Sequence, residues 1–141
     1  MDWALEVVQV PVSDLDRAVS FYRDQLGFVL DHRTTTDQMD FAQLTPPGSG
    51  CSIVLGMAQM APGSLHGLQL VVPDARAARQ ELVERGVDAG DVTVIDPRDG
   101  GTLFGFSDPD GNSWTVQEMK VRAGRPLIPL EARIGYGADQ D

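Results

Sequence analysis

The sequence predicts an α+β fold of two tandem βαβββ modules, and three observations carry that prediction. The segment VVQVPVSDLDRAVSFYRDQLGF from Val7 is echoed by GLQLVVPDARAARQELVERGV from Gly67. Gln9 and Gln69, Val12 and Val72, and Asp14 and Asp74 are matched pairs, each 60 positions apart. Such a fixed offset marks one unit written twice. In both copies an apolar run gives way to residues spaced as one face of a helix. Short apolar segments divided by Gly, Pro and Asp follow, the pattern of strands and turns.

The first module opens with a largely apolar strand, Ala4 to Val12. Asp14, beside Ser13, then starts a helix, because its carboxylate accepts from free N–H groups of the first turn and suits the positive end of the dipole. Leu15, Ala18, Val19, Tyr22 and Leu26 form one apolar stripe, and Gly27 closes the helix. Three strands follow: Phe28 to Arg33, Met39 to Leu44 and Ser52 to Leu55, the last reached through the loop TPPGSG. MAQMAPGS, Met57 to Ser64, links the modules. The second module repeats the plan, with a strand from Leu65 to Val72 and a helix opened by Asp74. That helix carries the weaker stripe Ala75, Ala78, Leu82 and Val83 and ends at Gly86. Its strands are Val92 to Ile95, Thr102 to Phe106 and Ser113 to Met119. In the turn DPDG, Pro109 presets φ and Gly111 can take the left-handed conformation that a tight hairpin needs. The domain is therefore expected over 1–120, with modules at 4–57 and 65–119. The tail 121–141 has no clear period and is expected to fold back through Leu127, Ile128 and Leu130.

Bulk properties narrow the function. A chain of 141 residues with 42% hydrophobic content suits one domain with a real core. No run of 18 apolar residues occurs, so no transmembrane helix is expected, and the N-terminus has no secretory-signal pattern. A lone cysteine, Cys51, cannot make an internal disulfide, and a cytoplasmic location is the default. The net charge of −10 disfavours nucleic acid as a partner.

VSDLDRAVSFYRDQLGF opening the first module and FSDPDGNSW closing the second resemble the vicinal oxygen chelate superfamily, the group of glyoxalases, bleomycin-resistance proteins and extradiol dioxygenases. The resemblance spans about residues 4–119. It implies that the strands form a curved mixed sheet enclosing a cavity, and that two chains pair as a homodimer. In metal-dependent relatives His, Glu or Gln from the first and last strands of the modules hold the metal. The corresponding positions here are Val7, Gly67 and Thr115, with His66 and Glu118 nearby but out of phase. An isopropyl group cannot replace the imidazole, carboxylate or thiolate that a transition metal takes, and a one-residue shift along a strand turns a side chain to the other face, so that only a bulge would bring His66 or Glu118 into the slot. No metal and no cofactor are therefore expected.

If Val7 and Gly67 face the cavity, period two brings Gln9 and Gln69 there too, and Gln117 follows Thr115. Neutral amides donate and accept hydrogen bonds and orient a polar ligand without a charge, but they make poor acids or bases. The alternative for each is mutual or water-bridged pairing across the sheet. Phe41 and Phe104 are the aromatics chosen to stack a flat ligand, and Met39, Met57 and Met60 are candidates for an adaptable lining. His32 and His66 read as solvated strand-end histidines and Cys51 as a small buried hydrophobe. The expected function is metal-free binding of a small molecule, a drug or metabolite, at Gln9, Gln69, Gln117, Thr115, Phe41 and Phe104. The alternatives are a metal-dependent lyase, isomerase or dioxygenase, and an enzyme using metal-free acid–base chemistry through Asp31, Asp40 or Glu6. Catalysis itself stays open at this level.

Overall fold

Two four-stranded sheets, each with its own helix, arise from the alternations noted above. The structure is a computed structural model and describes residues 1–124; the expected packing of Leu127, Ile128 and Leu130 lies outside them. β1 (Val7–Val10) leads into α1 (Leu15–Ser20), where the Asp14 carboxylate accepts from the Arg17 N–H at 3.1 Å. The helix continues as a π-helical turn, Phe21–Gln25, closed by the Leu26 N–H donating to the Phe21 carbonyl at 3.0 Å. The wider turn lets the consecutive rings of Phe21 and Tyr22 both bury, a detail that a 3.6-residue stripe does not foresee. β2 (Val29–Thr35), β3 (Asp40–Thr45) and β4 (Ser52–Leu55) complete the first sheet, in the order β1-β4-β3-β2.

The second half comprises β5 (Leu68–Val72), α2 (Ala75–Glu84), β6 (Thr93–Val94), β7 (Thr102–Ser107) and β8 (Ser113–Glu118), followed by a 3₁₀ turn at Lys120–Arg122. Its sheet runs β5-β8-β7-β6. Asp74 caps α2 through the Ala77 N–H at 3.0 Å. In each sheet the first strand lies parallel to the last, β1 to β4 and β5 to β8, and the other pairs are antiparallel. The α+β fold is as expected, and the mixed sheet takes the form of these two sheets. The first strands of each half are shorter than their apolar runs. β4 offers only Ser52–Leu55 for pairing with β1, so the ladder ends where the Ser52 N–H donates to the Glu6 carbonyl at 2.9 Å, and residues before Val7 stay exposed.

Register divides every strand between two faces. Val8, Val10, Ala42, Leu44, Ile53 and Leu55 share the helix-facing side of the first sheet. Leu68, Leu70, Phe104, Phe106, Trp114 and Val116 share that of the second. The two sides contribute to a single core, where the π-helical turn after α1 and the residue leading into β2 reach the second sheet: Tyr22 lies 5.8 Å from Trp114 and Phe28 lies 5.9 Å from it, centroid to centroid. Each such buried ring contributes about 1.5–3 kcal/mol by removal from water.

The DPDGN turn fastens the halves together. The Asp108 carboxylate is buried, and Oδ1 accepts from the backbone N–H groups of Asp110, Gly111 and Asn112 at 2.9–3.0 Å. Its Oδ2 accepts from the Tyr22 hydroxyl at 2.7 Å and from Asn112 Nδ2 at 2.8 Å. Asn112 Nδ2 also donates to the Pro11 carbonyl at 2.8 Å, and its Oδ1 accepts from the Leu65 N–H at 3.1 Å. Five donors on one buried carboxylate compensate its lost hydration. The sequence feature that looked like a hairpin turn is thus the joint that sets the sheets' relative placement.

Candidate functional site

The faces turned away from the helices carry the polar groups. On the first sheet these are Val7, Gln9, Phe41, Gln43, Thr45, Ser52 and Val54, as the register of β1, β3 and β4 requires. A register shift between Leu30 and His32 sets His32 opposite Gln43 on this same face. The His32 ring stands edge-on to Phe41 at 5.7 Å, and Nδ1 lies 3.2 Å from Thr34 Oγ1. Beside them the Thr45 hydroxyl donates to Asp31, which leaves the Ser52 hydroxyl to donate to Thr45 Oγ1 at 2.6 Å.

On the second sheet Gln69 stands opposite Thr115, Thr115 opposite Gly105, and Gln117 opposite Leu103. Gln69 Nε2 donates to Gln117 Oε1 at 2.5 Å, and Gln117 Nε2 donates to the Gly100 carbonyl at 2.7 Å. Gln69, Gln117 and Thr115 therefore share one face, while Gln9 and Phe41 share the corresponding face of the other sheet. Phe104 joins neither group. Alternation along β7 turns it to the helix side, where it is 1% exposed. There it walls an apolar cleft with Leu70, Leu82, Phe106 and Val116. This cleft offers apolar surface, with Glu81 and Arg85 its charged groups. Met39, Met57 and Met60 are partly exposed.

His66 reaches the face that strict alternation denies it. The Ser113 N–H donates to the Leu65 carbonyl at 3.0 Å, while Leu68 is already paired with Trp114. His66 and Gly67 together therefore stand opposite Ser113, a two-against-one irregularity that Gly67 permits with φ of +86°. His66 Nδ1 lies 2.9 Å from Ser113 Oγ, and Ser113 shares its face with Thr115. A glycine at the start of an apolar run, directly after a histidine, was the signal; the shift at His32 had no such marker. Glu118 points elsewhere, since its Oε1 accepts from the Ala75 N–H at 3.1 Å at the start of α2.

The donor set does not fit a transition metal held as in the metal-dependent relatives. The three corresponding positions bring an isopropyl group, a hydrogen and a hydroxyl. Among the described residues no three His, Cys, Asp or Glu side chains are grouped to hold a metal ion. Cys51 is not activated either: burial first, and the Glu6 charge second, push its thiol above the usual range.

Fold and face together define a scaffold with polar pairs on open sheet faces, and known proteins share its fold. The chain belongs to the Glyoxalase/Bleomycin resistance protein/Dioxygenase superfamily, whose profile matches residues 4–116. One similar solved structure is TnmS3, an antibiotic binding protein from Streptomyces sp. CB03234, with 33% identity, coverage of 84% of this chain and 97% of that one, and a TM-score of 0.70. A glyoxalase/bleomycin resistance protein from the same Streptomyces is 34% identical over 82% of this chain and 100% of that one, with a TM-score of 0.70. A superfamily member from Sphaerobacter thermophilus DSM 20745 is 29% identical over 83% and 98%, with a TM-score of 0.69. No curated protein sequence matches the chain. No helix among the described residues is long and apolar enough to cross a membrane.

Proposed function

We propose that this protein binds a small organic molecule, a drug or metabolite, on the helix-free sheet faces and acts by binding alone, without a metal. The observation that carries this reading is the neutral amide pair Gln69–Gln117 beside Thr115, while the positions corresponding to metal ligands hold Val7 on the first sheet and Gly67 and Thr115 on the second. Gln9 and Phe41 supply the equivalent contacts on the first sheet, and the likeness to an antibiotic binding protein supports a ligand of that size. We further propose that residues 1–120 act as one domain of two modules, 4–57 and 65–119. Two copies pair so that the open faces become cavity walls. The protein works in the cytoplasm, where a lone cysteine needs no oxidising partner.

A thermal-shift screen against cationic antibiotics, thiol conjugates and catechols tests the reading. A ligand at about a hundred times its Kd stabilises the native state by about 2.7 kcal/mol, which moves Tm by roughly 5–10 °C for a chain of this size. Replacing Gln9 and Gln69 together by leucine is expected to weaken binding of the best hit at least tenfold while leaving the Tm of the free protein within a few degrees. Unchanged affinity in that variant removes the amides from the site. Stoichiometric nickel, zinc or iron in protein purified without chelator would instead favour a metal-dependent lyase, isomerase or dioxygenase.

A further inference from the structure

The direction of the hydrogen bonds on the second sheet carries information about the ligand. A backbone carbonyl can only accept, so the Gly100 oxygen, 2.7 Å from Gln117 Nε2, fixes which end of the Gln117 amide faces it. Gln117 Oε1 then faces Gln69 and must be donated to, and Gln69 Nε2 does so at 2.5 Å. Gln69 is left with its own carbonyl oxygen available at an exposed position of β5. The anchor is firm, because the Gly100 segment is tied at several points. The Ile95 N–H donates to the Gly101 carbonyl at 2.8 Å, and the Gly101 N–H to the Arg98 carbonyl at 3.0 Å. The Asp99 carboxylate accepts from the N–H groups of Lys120 at 2.7 Å and Val121 at 3.1 Å. On the far side of Thr115 from Gln69, Gly105 carries no side chain, so a flat ring lying across Thr115 can approach the backbone there.

We propose that Gln117 is a positioning residue: it holds the Gln69 amide with its carbonyl oxygen toward the ligand, and so selects molecules that present an O–H or N–H donor on a flat ring. This rests on the binding reading above and adds to it the polarity of the recognised group. The chain of amides also extends the site to the loop before β7, so that a residue with no ligand contact of its own, Gly100, helps to set specificity.

The test uses the full chain, ¹⁵N-labelled, with phenol as the donor probe and anisole, which lacks the donor, as its control. Phenol is expected to shift the Gln69 side-chain amide signals with an apparent affinity about fivefold above that of anisole, the worth of one hydrogen bond. Gln117→Leu frees the Gln69 amide to turn, and the preference should vanish. Gln117→Glu keeps an acceptor for Gln69 Nε2 but loses the donor to Gly100, so the preference for phenol should survive. If Gln117 merely holds the loop, the two variants will behave alike, and the proposal fails. It fails equally if wild-type protein meets both probes with the same affinity, or if neither moves the Gln69 signals. A hit in the thermal-shift screen with either of those results would leave the binding function standing and remove only the donor rule.

Discussion

Tyr22 shows how one side chain can hold a fold together through polar contacts in an apolar place. Its hydroxyl donates to Asp108 Oδ2 at 2.7 Å and accepts from Trp114 Nε1 at 3.0 Å, so three elements meet at one oxygen. Burial first, and the Asp108 charge second, push its ionisation well above the ordinary value of 10.0. Above that pH an unfolded chain sheds a proton that the folded chain keeps. The stability tied to Tyr22 is therefore full below about pH 10 and declines as pH rises past it, by up to about 1.4 kcal/mol per pH unit. Tyr22→Phe should cost about 1–3 kcal/mol at neutral pH, because it strips a partner from a buried carboxylate. It should also flatten the alkaline decline. Urea midpoints of both proteins from about pH 9 to about pH 11 check this; curves that run parallel would contradict the account.

At the level of elements, two glycines with positive φ do different work. Gly56, just after β4, has φ of +99°, and a Cβ there would sit 2.4 Å from the Asp40 carbonyl oxygen. Gly67, before β5, has φ of +86° and open space around the place of a Cβ. Gly67→Ala should thus cost only the backbone preference, about 1–2 kcal/mol, and release His66 from Ser113. Gly56→Ala adds a clash with backbone that cannot swing aside, and its loss should exceed that of Gly67→Ala by at least about 1 kcal/mol. Chemical denaturation of the two variants decides, with equal losses counting against the steric argument. The same contrast explains why strand ends were hard to place from sequence: apolar runs mark where a strand can form, but the length of its partner decides where it does.

For the molecule as a whole, the consequence of the Asp108 joint is that both polar faces point away from the shared core. Gln9 and Gln69 are exposed in the single chain, and β1 and β5 are edge strands with one unpaired side each. Pairing of two copies would cover those faces and give a ligand enclosing walls. Light scattering is expected to give the mass of two chains at micromolar concentration, and ligand binding should weaken on dilution below the dimer's dissociation range. A monomer that binds its ligand with undiminished affinity would overturn that expectation.

Much of this was legible in the residues. Helix starts at Asp14 and Asp74, the β4 span and the shared face of Gln69 and Gln117 followed from local chemistry, since capping, turn preference and alternation act over a few neighbours; Gln9 lies on the other sheet. Alternation also placed Gln9, Gln69, Thr115 and Gln117 on helix-free faces. The choice of Phe104 beside Phe41 rested on residue type alone, and the two rings lie on opposite kinds of face, because which side of β7 meets the helices depends on partners far along the chain. The histidines at 32 and 66 are exposed as expected, but the face each takes escaped for a related reason. A single extra residue in a ladder reverses a side chain, and ladders exist only once distant strands have paired. Composition and pattern determined an α+β chain with neutral groups where relatives hold metal ligands. Tertiary pairing alone decided which face each side chain occupies, since period two leaves two equal choices that only contact with a distant strand can break.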